Sequence, residues 1–420
     1  MLRGATLPLE SLVSPFVGVV RGLQEVLAGP DDVRLATAWC ESAFPHALVG
    51  GGSGATLHEA REAAIGEAVE RYSACIVDPE ACVVASAREL GSRAVAPERF
   101  ALFSDAQYRT ANFPYGRFDR DTQLAWIEGV SLPERRPAWL PAQLVHLAGH
   151  ESEPPVCRTT SSGLACHASA AEATLAALLE LLERDAFMIT WKARVSWPVL
   201  DWRRHERLTE FERAFLRPAG LHWRAVDLSA FWDIPIVAAV VRGGETLGVG
   251  AAAAVTIDRA VTKALDEAAR VRTWAFALRA HGQVTPTAEE IEEFDDHVRF
   301  YADPRNTARV GFLDGSPRRR RVESVPTIRG KTAEARIETI CRRLARRHLT
   351  AYAVDVTAPD VREAGLAVVR VIVPELCALD VEHGARLLGG DRLYDEPLRL
   401  GMRERRLTEA DINPDPHPFP

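Results

Sequence analysis

Two stretches of the chain carry the same three charged residues at the same spacing. Each reads Glu-x-x-Glu-Arg, and the residues are Glu67, Glu70 and Arg71 in "GEAVERYSA" (66–74), and Glu180, Glu183 and Arg184 in "LELLERDAF" (179–187). Side chains three and four residues apart lie on one face of an α-helix. The charges could be simple intrahelical ion pairs, which contribute about 0.2–0.5 kcal/mol each. Alternatively, the two glutamate pairs converge on one cation.

The residues around these charges favour convergence. A solvated helix face is normally filled with lysine, glutamine and glutamate, whereas here the charges are flanked by alanine. The alanines are Ala60, Ala63, Ala64 and Ala74 in the first stretch, and Ala173, Ala176 and Ala177 in the second. Small side chains indicate that another element approaches closely, so the carboxylates are only partly hydrated. Such carboxylates need partners, because an unpaired buried charge is strongly destabilising.

The ligand chemistry indicates which cation this would be. Oxygen ligands without a neighbouring histidine or cysteine favour Mg²⁺, whereas a di-iron bundle would require Glu-x-x-His. Magnesium beside arginine indicates phosphate, and a nucleoside triphosphate would supply it. The chain has no GxxxxGK[ST] motif and no GxGxxG after a strand. The run "VGGGSGATLHEA" (49–60) could bind an anion at a helix N-terminus or be a flexible turn. The residues alone therefore predict an Mg²⁺-dependent nucleotide site of a non-Walker type.

The elements that must position these residues indicate an α/β (α+β) fold with mixed sheets. Helical and strand-like periods alternate along the chain. The long helices are predicted at about 57–77, 170–192 and 258–280, strands within 234–243 and 365–376, and loops or lids at 98–122 and 302–332. The last ten residues, "DINPDPHPFP", must be extended, because Pro414, Pro416, Pro418 and Pro420 fix φ and remove backbone donors.

Composition excludes several other classes of protein. A chain of 420 residues with 47% hydrophobic and 26% charged residues is large enough for a substantial core, and its net charge of −7 gives no general attraction to nucleic acid. No signal peptide or membrane span is evident, so a cytoplasmic protein is expected. Seven scattered cysteines without a CxxC pair predict reduced thiols. The basic run 318–321 is interpreted as a solvated loop, although it could meet an acidic partner peptide.

The two acidic motifs, in this order and with their flanks, resemble the YcaO family of ATP-dependent enzymes that activate backbone amides in peptides. The matching segments span nearly the whole chain. They are "SPFVGVVRGL" (14–23), "GGSGATLHEAREAAIGEAVERYS" (51–73), "SSGLACHASAAEATLAALLELLERDA" (161–186), "GAAAAVTIDRAVTKALDEAARVR" (250–272), "DVTAPDVREAGLAVVRVIVPEL" (355–376) and the terminal "PHPFP". The resemblance implies one interwoven domain over 1–410, followed by a tail, 411–420, that reaches the active site.

The resemblance also assigns roles to individual residues. It implies that Glu67, Glu70, Glu180 and Glu183 hold Mg²⁺, that Arg71, Arg184 and Glu172 surround ATP, and that Lys263 and Glu267 match an arginine–glutamate pair near the nucleotide. Ser14 and Arg21 are further nucleotide candidates, but they could equally be a turn cap and a surface arginine. The terminal carboxylate of Pro420 would assist catalysis, and the arginines would take up charge that develops during phosphoryl transfer.

Four residues depart from the family pattern. His167 and Ala168 stand where many relatives have glycine and asparagine, and Ala63 and Ala165 stand where a serine often does. One expected polar contact to the nucleotide is therefore missing. His167 could replace it or could be structural, and a non-catalytic member of the family remains an alternative.

The resemblance implies an activity in the biosynthesis of ribosomally made peptide antibiotics. The enzyme would use ATP to close a Cys, Ser or Thr side chain onto the preceding carbonyl, giving a thiazoline or an oxazoline. Family members also form macrocyclic amidines or thioamides, and the Pro-x-Pro-x-Pro tail favours azolines. The expected partners are a precursor peptide and a separate leader-binding protein, with a homodimer or hetero-oligomer possible. Deletion of 416–420 is expected to remove activity while sparing stability, because an extended tail should contribute little to the core.

Overall fold

The computed structural model describes residues 9–29, 32–43, 48–132, 134–150, 152–282 and 285–419. Its described part has a mixed α/β architecture with three sheets, which confirms the predicted fold class. The three-stranded sheet contains β1 (Val20–Val26), β2 (Ala36–Ser42) and β3 (Val49–Gly54) in that order. All of its pairs are antiparallel.

The second sheet has six strands. It consists of β4 (Cys82–Ala85), β5 (Leu124–Ser131), β6 (Pro137–Pro141), β7 (Leu164–His167), β13 (Tyr352–Asp355) and β14 (Ala367–Ile372). The order is β4-β5-β13-β14-β7, with β6 also pairing with β5. Because β13 and β14 lie far along the chain from β5 and β7, this sheet joins an early and a late part of the sequence.

The third sheet has five strands in the order β11-β10-β9-β8-β12. The strands are β8 (Val199–Asp201), β9 (His222–Asp227), β10 (Ile236–Gly243), β11 (Thr246–Ala253) and β12 (Arg319–Arg321). The parallel pair β12–β8 contains most of the basic run 318–321, and Arg320 pairs with the buried Asp227. The prediction of a loop was therefore wrong for Arg319–Arg321, since a buried aspartate partner draws Arg320 onto the sheet edge, but Arg319 and Arg321 are solvent-exposed, as predicted.

Three long helices pack on these sheets. They are α1 (Leu57–Cys75), α5 (Ala170–Lys192) and α7 (Ile257–Ala280), close to the predicted ranges. The other helices are α2 (Ala87–Leu90), α3 (Asp105–Tyr108), α4 (Ala142–Val145), α6 (Glu206–Phe211), α8 (Phe294–Ala302), α9 (Gly311–Asp314), α10 (Ala333–Ala345), α11 (Pro359–Glu363) and α12 (Asp391–Arg399). Thr56 starts α1 with a capping box, and the Ser169 hydroxyl caps α5.

A hairpin followed by a long helix occurs twice. In one unit β2 and β3 precede α1, and in the other β10 and β11 precede α7. Glycines bring strand and helix together: a Cβ on Gly50 would lie 2.5 Å from the Ala64 carbonyl oxygen, and one on Gly250 2.5 Å from the Ala268 amide nitrogen. Because the backbones touch, each helix position is determined by the strand before it.

This packing corrects one of the two interpretations of the glycine-rich run. Residues 49–54 are not a flexible turn but strand β3, and the amide of Gly51 already donates to the Glu67 carboxylate. The sequence pattern failed there because glycine supplies no alternating side chains from which a strand can be recognised. The segments predicted as loops, 98–122 and 302–332, hold the short helices α3 and α9 and the short strand β12.

The proline-rich tail is extended, as predicted, but it is built into the core. Ile412, His417 and Phe419 are buried, and the tail carbonyls accept hydrogen bonds from Trp191, Tyr301 and Arg386. The expectation that the tail contributes little to the core was therefore wrong. Proline leaves the carbonyls and the intervening side chains free to make these contacts, although it removes amide donors. In the described ranges, no helix is both long and apolar enough to cross a membrane.

Candidate functional site

Helices α1, α5 and α7 bring carboxylates from distant parts of the chain into one cluster, called here the carboxylate centre. Its members are Glu67 and Glu70 of α1, Glu180 and Glu183 of α5, and Glu267 of α7. Glu70 is close enough to Glu180 and Glu67 for both to act on its ionisation, and Glu267 and Glu180 act in the same way on Glu183. The structure thus brings together the four glutamates predicted to bind metal.

Strand amides hold three of these carboxylates in place. The Gly51 amide donates to Glu67 Oε2 at 2.6 Å, that of Ala251 to Glu267 Oε2 at 2.8 Å, and that of Ala253 to Glu183 Oε2 at 2.9 Å. Amide hydrogen bonds favour the ionised carboxylate. Strands β3 and β11 therefore set the geometry of the centre as much as the helices do.

Burial makes the ionised carboxylates unfavourable in the absence of a cation. The pKa of Glu70 is raised well above its ordinary value, first by burial and then by the charges of Glu180 and Glu67. Burial also raises the pKa values of Glu180, Glu183 and Glu267, and Arg184 opposes the rise at each of them. Several carboxylates that repel one another in a buried place form an electrostatic setting that a divalent cation would relieve.

Arg71, Arg184 and Arg370 lie beside the carboxylate centre. Arg71 Nη2 lies 2.7 Å from Glu67 Oε1, while Arg184 lies 3.5 Å from Glu180 and 3.6 Å from Glu183. Arg370 of β14 is buried, and burial lowers its pKa to about 10 against the attraction of Glu180 and Glu70.

Two of these guanidinium groups keep buried N–H groups that are not hydrogen-bonded. Within the described residues, no acceptor lies in hydrogen-bond range of Arg184 Nε and Nη1 or of Arg370 Nε. Buried donors are normally satisfied, so unpartnered ones beside a cluster of carboxylates indicate a place for an anionic or carbonyl ligand. Sequence reasoning missed Arg370, although an arginine inside the apolar run "AVVRVI" was a signal that could have identified it.

The tail reaches the carboxylate centre through Phe419. This side chain is fully buried, its ring lies 4.9 Å from that of Phe187, and the Arg184 guanidinium lies 4.1 Å from the ring centroid. A cation over an aromatic face is attracted by the ring quadrupole. The tail therefore helps to orient Arg184. Pro420, predicted to contribute a carboxylate, lies outside the described residues.

The predicted nucleotide residues are not all close to one another. Glu172 and Lys263 are exposed, and both act on the ionisation of His167, whose pKa is lowered by burial. The Ser14 hydroxyl accepts from the amides of the next turn, as a turn cap does, and Arg21 is exposed on β1. In the described chain, neither Ser14 nor Arg21 forms a hydrogen bond or an ion pair with the carboxylates.

Sequence reasoning also missed a polar group between β3 and α7. The Ser53 hydroxyl donates to Asp266, and Arg270 Nε lies 3.8 Å from Asp266 Oδ2. The second Asp266 oxygen is buried without a hydrogen-bond partner in the described residues. The i,i+4 spacing of Asp266 and Arg270 next to Glu267 was a signal, but such pairs are common on ordinary helices.

The centre suits Mg²⁺ better than a soft metal. Among the described residues, no group of three or more His, Cys, Asp or Glu side chains stands in an arrangement that could hold a metal ion by itself. Mg²⁺ does not need such an arrangement, because it keeps several waters and is usually held by one or two carboxylates and by substrate phosphates. The unpartnered N–H groups of Arg184 would meet those phosphates.

A family model described as YcaO cyclodehydratase, ATP- and Mg²⁺-binding, matches residues 51–377. The chain belongs to the YcaO family. It is thus a member of a family of ATP-dependent enzymes, and the predictions of the family, of such an enzyme and of ATP and Mg²⁺ as cofactors are confirmed.

Several relatives resemble the chain over most of its length. An uncharacterized protein of Methanothermobacter thermautotrophicus is 27% identical over 360 residues, which are 80% of this chain and 84% of that protein. A heterocyclase in complex with substrate and cofactor superposes with a TM-score of 0.80 at 25% identity, and the heterocyclase TruD with 0.70 at 25% identity. The YcaO protein of Methanopyrus kandleri bound with AMPPCP and Mg²⁺ gives 0.61 at 21% identity, which shows the shared fold alone.

The chain does not span the whole of the two heterocyclases. The two matches cover 99% and 98% of this chain. They cover only 57% and 53% of the heterocyclases, so the chain spans a little more than half of the length of each. With the YcaO protein of Methanopyrus kandleri the coverage is more even, at 85% of this chain and 86% of that one.

Proposed function

We propose that this chain is an ATP- and Mg²⁺-dependent peptide cyclodehydratase that forms thiazolines or oxazolines in ribosomally made peptides. The observation that carries the proposal is the carboxylate centre, in which four glutamates from two E-x-x-E-R helices meet beside the unpartnered N–H groups of Arg184. The similarity to two heterocyclases supports it.

In this proposal Glu67, Glu70, Glu180 and Glu183 hold Mg²⁺. The backbone would not have to move for the carboxylates to take this role, because strand amides already hold Glu67 and Glu183 in place. Bound ATP would supply the phosphoryl group that converts the amide oxygen into a leaving group, and Mg²⁺ would offset the charge of its phosphates. Arg71 and Arg184 would stabilise charge that develops during transfer.

The nucleotide would extend from the carboxylate centre towards the N-terminal ends of α5 and α7. Glu172 and Lys263 stand there with His167 close to both, and Glu267 connects this region with Glu183. His167 stands where many relatives have glycine, next to Ala168 at the asparagine position, and its ring would replace the missing polar contact by a hydrogen bond to the nucleotide. Ser14 and Arg21 remain weaker candidates, since their present contacts are those of a turn and a surface strand.

The remaining requirement is a group that accepts the amide proton during ring closure. Phe419, the last residue that the structure describes, is packed under Arg184. We assign this role to the Pro420 carboxylate, which would orient or deprotonate the substrate. His417 is unsuitable, because its ring bonds to the Asp380 carbonyl and its pKa is held well below the ordinary value by burial.

The substrate and partners follow from the same proposal. A precursor peptide would be presented by a separate leader-binding protein. A chain of a microcin synthetase complex of Escherichia coli, 14% identical to this one, shares the fold. The reaction needs ATP and newly made peptides, which is consistent with the cytoplasm and with antibiotic biosynthesis. We also propose that the chain assembles as a homodimer or with the partner protein.

The test is to mix the chain with Mg²⁺·ATP, a candidate precursor peptide and its partner protein. We expect peptide-dependent phosphate release together with loss of one water from the peptide for each ring. Exchange of one amide oxygen for sulfur would indicate a thioamide. Loss of water by condensation of an amide carbonyl with the peptide's own amine would indicate an amidine. Nucleotide binding without any change of the peptide would support a scaffold role and overturn the proposal.

A further inference from the structure

A cavity of about 110 Å³ lies beside the carboxylate centre and shares Arg184 and Arg370 with it. Its walls come from separate parts of the chain. Phe100 and Leu102 precede α3, Leu181 belongs to α5, and Leu379 follows β14. The cavity is partly open, so a ligand can enter without the chain unfolding.

The walls combine two kinds of chemistry. Most of the lining is apolar, whereas Arg184 and Arg370 contribute the buried N–H groups that lack an acceptor. Arg370 is only 6% exposed, so water cannot satisfy it freely. An apolar cavity of this kind accepts hydrocarbon, and an engineered cavity of about 150 Å³ holds benzene. The matching ligand therefore has an aliphatic side chain next to an oxygen acceptor.

Peptide geometry identifies which residue of a substrate has this form. The reacting carbonyl belongs to the residue before the cyclised Cys, Ser or Thr, and its side chain is attached to the neighbouring Cα. The side chain of the cyclised residue is used up in the ring itself. The preceding residue is thus the one whose side chain must be accommodated immediately beside the reacting carbonyl.

We infer that the cavity holds the side chain of the residue that precedes the cyclised one, and that it selects small aliphatic residues there. The inference rests on the proposed cyclodehydratase activity. The carbonyl oxygen of that residue would accept from the N–H groups of Arg184 and Arg370, while the cavity excludes cationic side chains and those as large as tryptophan. Arg184 would thereby contact both the nucleotide side and the peptide side of the site.

Photo-crosslinking tests this without requiring turnover. The probe is an acetylated, amidated peptide in which a diazirine analogue of leucine precedes a serine, mixed with the full chain, Mg²⁺ and a non-hydrolysable ATP analogue. We expect adducts on residues 100–102, 157–162 or 371–379, mapped by mass spectrometry. Adducts on other residues would overturn the inference. The control is a peptide in which the analogue stands two residues after the serine, and a yield of adducts no higher than with this control would also overturn it.

A cavity-filling variant gives the matched control. Ala378 lines the cavity, whereas Ala111 is exposed in the same part of the fold as α3. We expect Ala378→Phe to reduce crosslinking by about tenfold or more. The ratio of kcat/KM for a Leu-Ser peptide to kcat/KM for a Gly-Ser peptide should fall by a similar factor, since the fit of a side chain to its pocket discriminates on this scale. Ala111→Phe should leave both unchanged. Equal turnover of the two peptides by the wild type and by Ala378→Phe would refute the cavity's role while leaving cyclisation established. Crosslinking at the cavity without cyclisation would refute only the activity.

Discussion

Glu70 is the residue whose environment is least compatible with its own charge. Its side chain is partly buried, this desolvation raises its pKa, and Glu180 and Glu67 raise it further, while Arg71 and Arg370 offset only part of the cost. A carboxylate whose folded-state pKa lies above its unfolded value destabilises the fold at pH values where both states are ionised. Such a residue is retained for a ligand rather than for stability.

The first prediction concerns Glu70→Gln. Removing one of several repelling charges should leave the melting temperature without Mg²⁺ unchanged or higher, because the amide keeps the shape and loses the repulsion. The same change should remove most of the increase in melting temperature that Mg²⁺·ATP produces, because a ligand of the metal is lost. Thermal unfolding with and without Mg²⁺·ATP measures both effects.

Glu62→Gln on the same helix is the matched control for Glu70→Gln. Glu62 is exposed and pairs only loosely with His58, at 3.6 Å. Exposed pairs of this type contribute little, so Mg²⁺·ATP should stabilise Glu62→Gln as it does the wild type. If Glu70→Gln and Glu183→Gln both kept the full response, the glutamates would be structural ion pairs only.

At the scale of elements, strand–helix contact through glycine determines where the carboxylates stand. A Cβ on Gly250 would lie 2.5 Å from the Ala268 amide nitrogen and 2.6 Å from the Ala264 carbonyl oxygen. Both are backbone atoms of α7, which cannot move aside as a side chain can. A larger residue at Gly250 must therefore push α7 away from β11 and weaken the bond between Ala251 and Glu267.

The second prediction is that Gly250→Val destabilises the protein by about 1–3 kcal/mol, as overpacking commonly does. It should also weaken Mg²⁺·ATP binding, because Glu267 moves with α7. Gly22→Ala is the control, since a Cβ there has no atom within 4 Å. Denaturant unfolding and calorimetric titration give the two quantities. A Gly250→Val protein with wild-type affinity would show that the position of α7 does not matter to the site.

The third prediction concerns the tail as an element. Deleting 416–420 should lower the free energy of unfolding by several kcal/mol, since replacing a buried phenylalanine by alanine alone costs about 3–5 kcal/mol. A milder change separates packing from chemistry. Phe419→Leu keeps apolar volume but removes the ring beneath Arg184, so it should cost less than about 1.5 kcal/mol while slowing ring formation about tenfold or more.

Phe231→Leu serves as the control for Phe419→Leu. Phe231 is as deeply buried but packs on Trp197 rather than on an arginine of the carboxylate centre. It should lose similar stability and keep wild-type ring formation. Equal activity of Phe419→Leu and Phe231→Leu would show that the tail is structural only.

The elements also show what sequence can and cannot predict. Helices α1, α5 and α7 were predictable, because their apolar residues repeat with helical period over many turns. Strand β3 was not, because its glycines carry no pattern and are meaningful only against α1. Likewise, Arg370 gains its role from neighbours on α1 and α5 that are hundreds of positions away. The E-x-x-E-R motifs predicted the centre itself, since local spacing and unusual alanine flanks were sufficient.

At the scale of the whole molecule, proton and metal binding are in competition. The pKa values of Glu70, Glu180, Glu183 and Glu267 are raised in the folded state. The folded protein therefore binds more protons than the unfolded chain at pH values between the ordinary glutamate value and the raised one. In that window the metal-free protein gains stability as the pH falls. Mg²⁺ needs the same carboxylates ionised.

The fourth prediction is that stabilisation by Mg²⁺·ATP grows as the pH rises from about 7 to about 9, because fewer protons must be displaced. This range avoids the buried histidines His146, His297 and His417, whose lowered pKa values reduce stability only below about pH 6.5. Melting temperatures with and without Mg²⁺·ATP across the range measure the effect. Glu183→Gln should show a smaller slope, and a stabilisation independent of pH in the wild type would contradict the proposed metal ligands.

The recurring hairpin–helix unit has a consequence for the origin of the molecule. Its matched residues differ by 200 in number at each contact: Gly50 with Gly250, Ala64 with Ala264, Ala68 with Ala268, and Glu67 with Glu267, whose strand donors Gly51 and Ala251 correspond as well. Such a constant offset is the trace that a gene duplication leaves. An ancestor of about half the length would have supplied one unit per chain and completed the site by pairing with itself, as symmetric dimers do. A fusion would then have let the halves diverge, which agrees with the correspondence of Glu70 in one unit to Arg270 in the other.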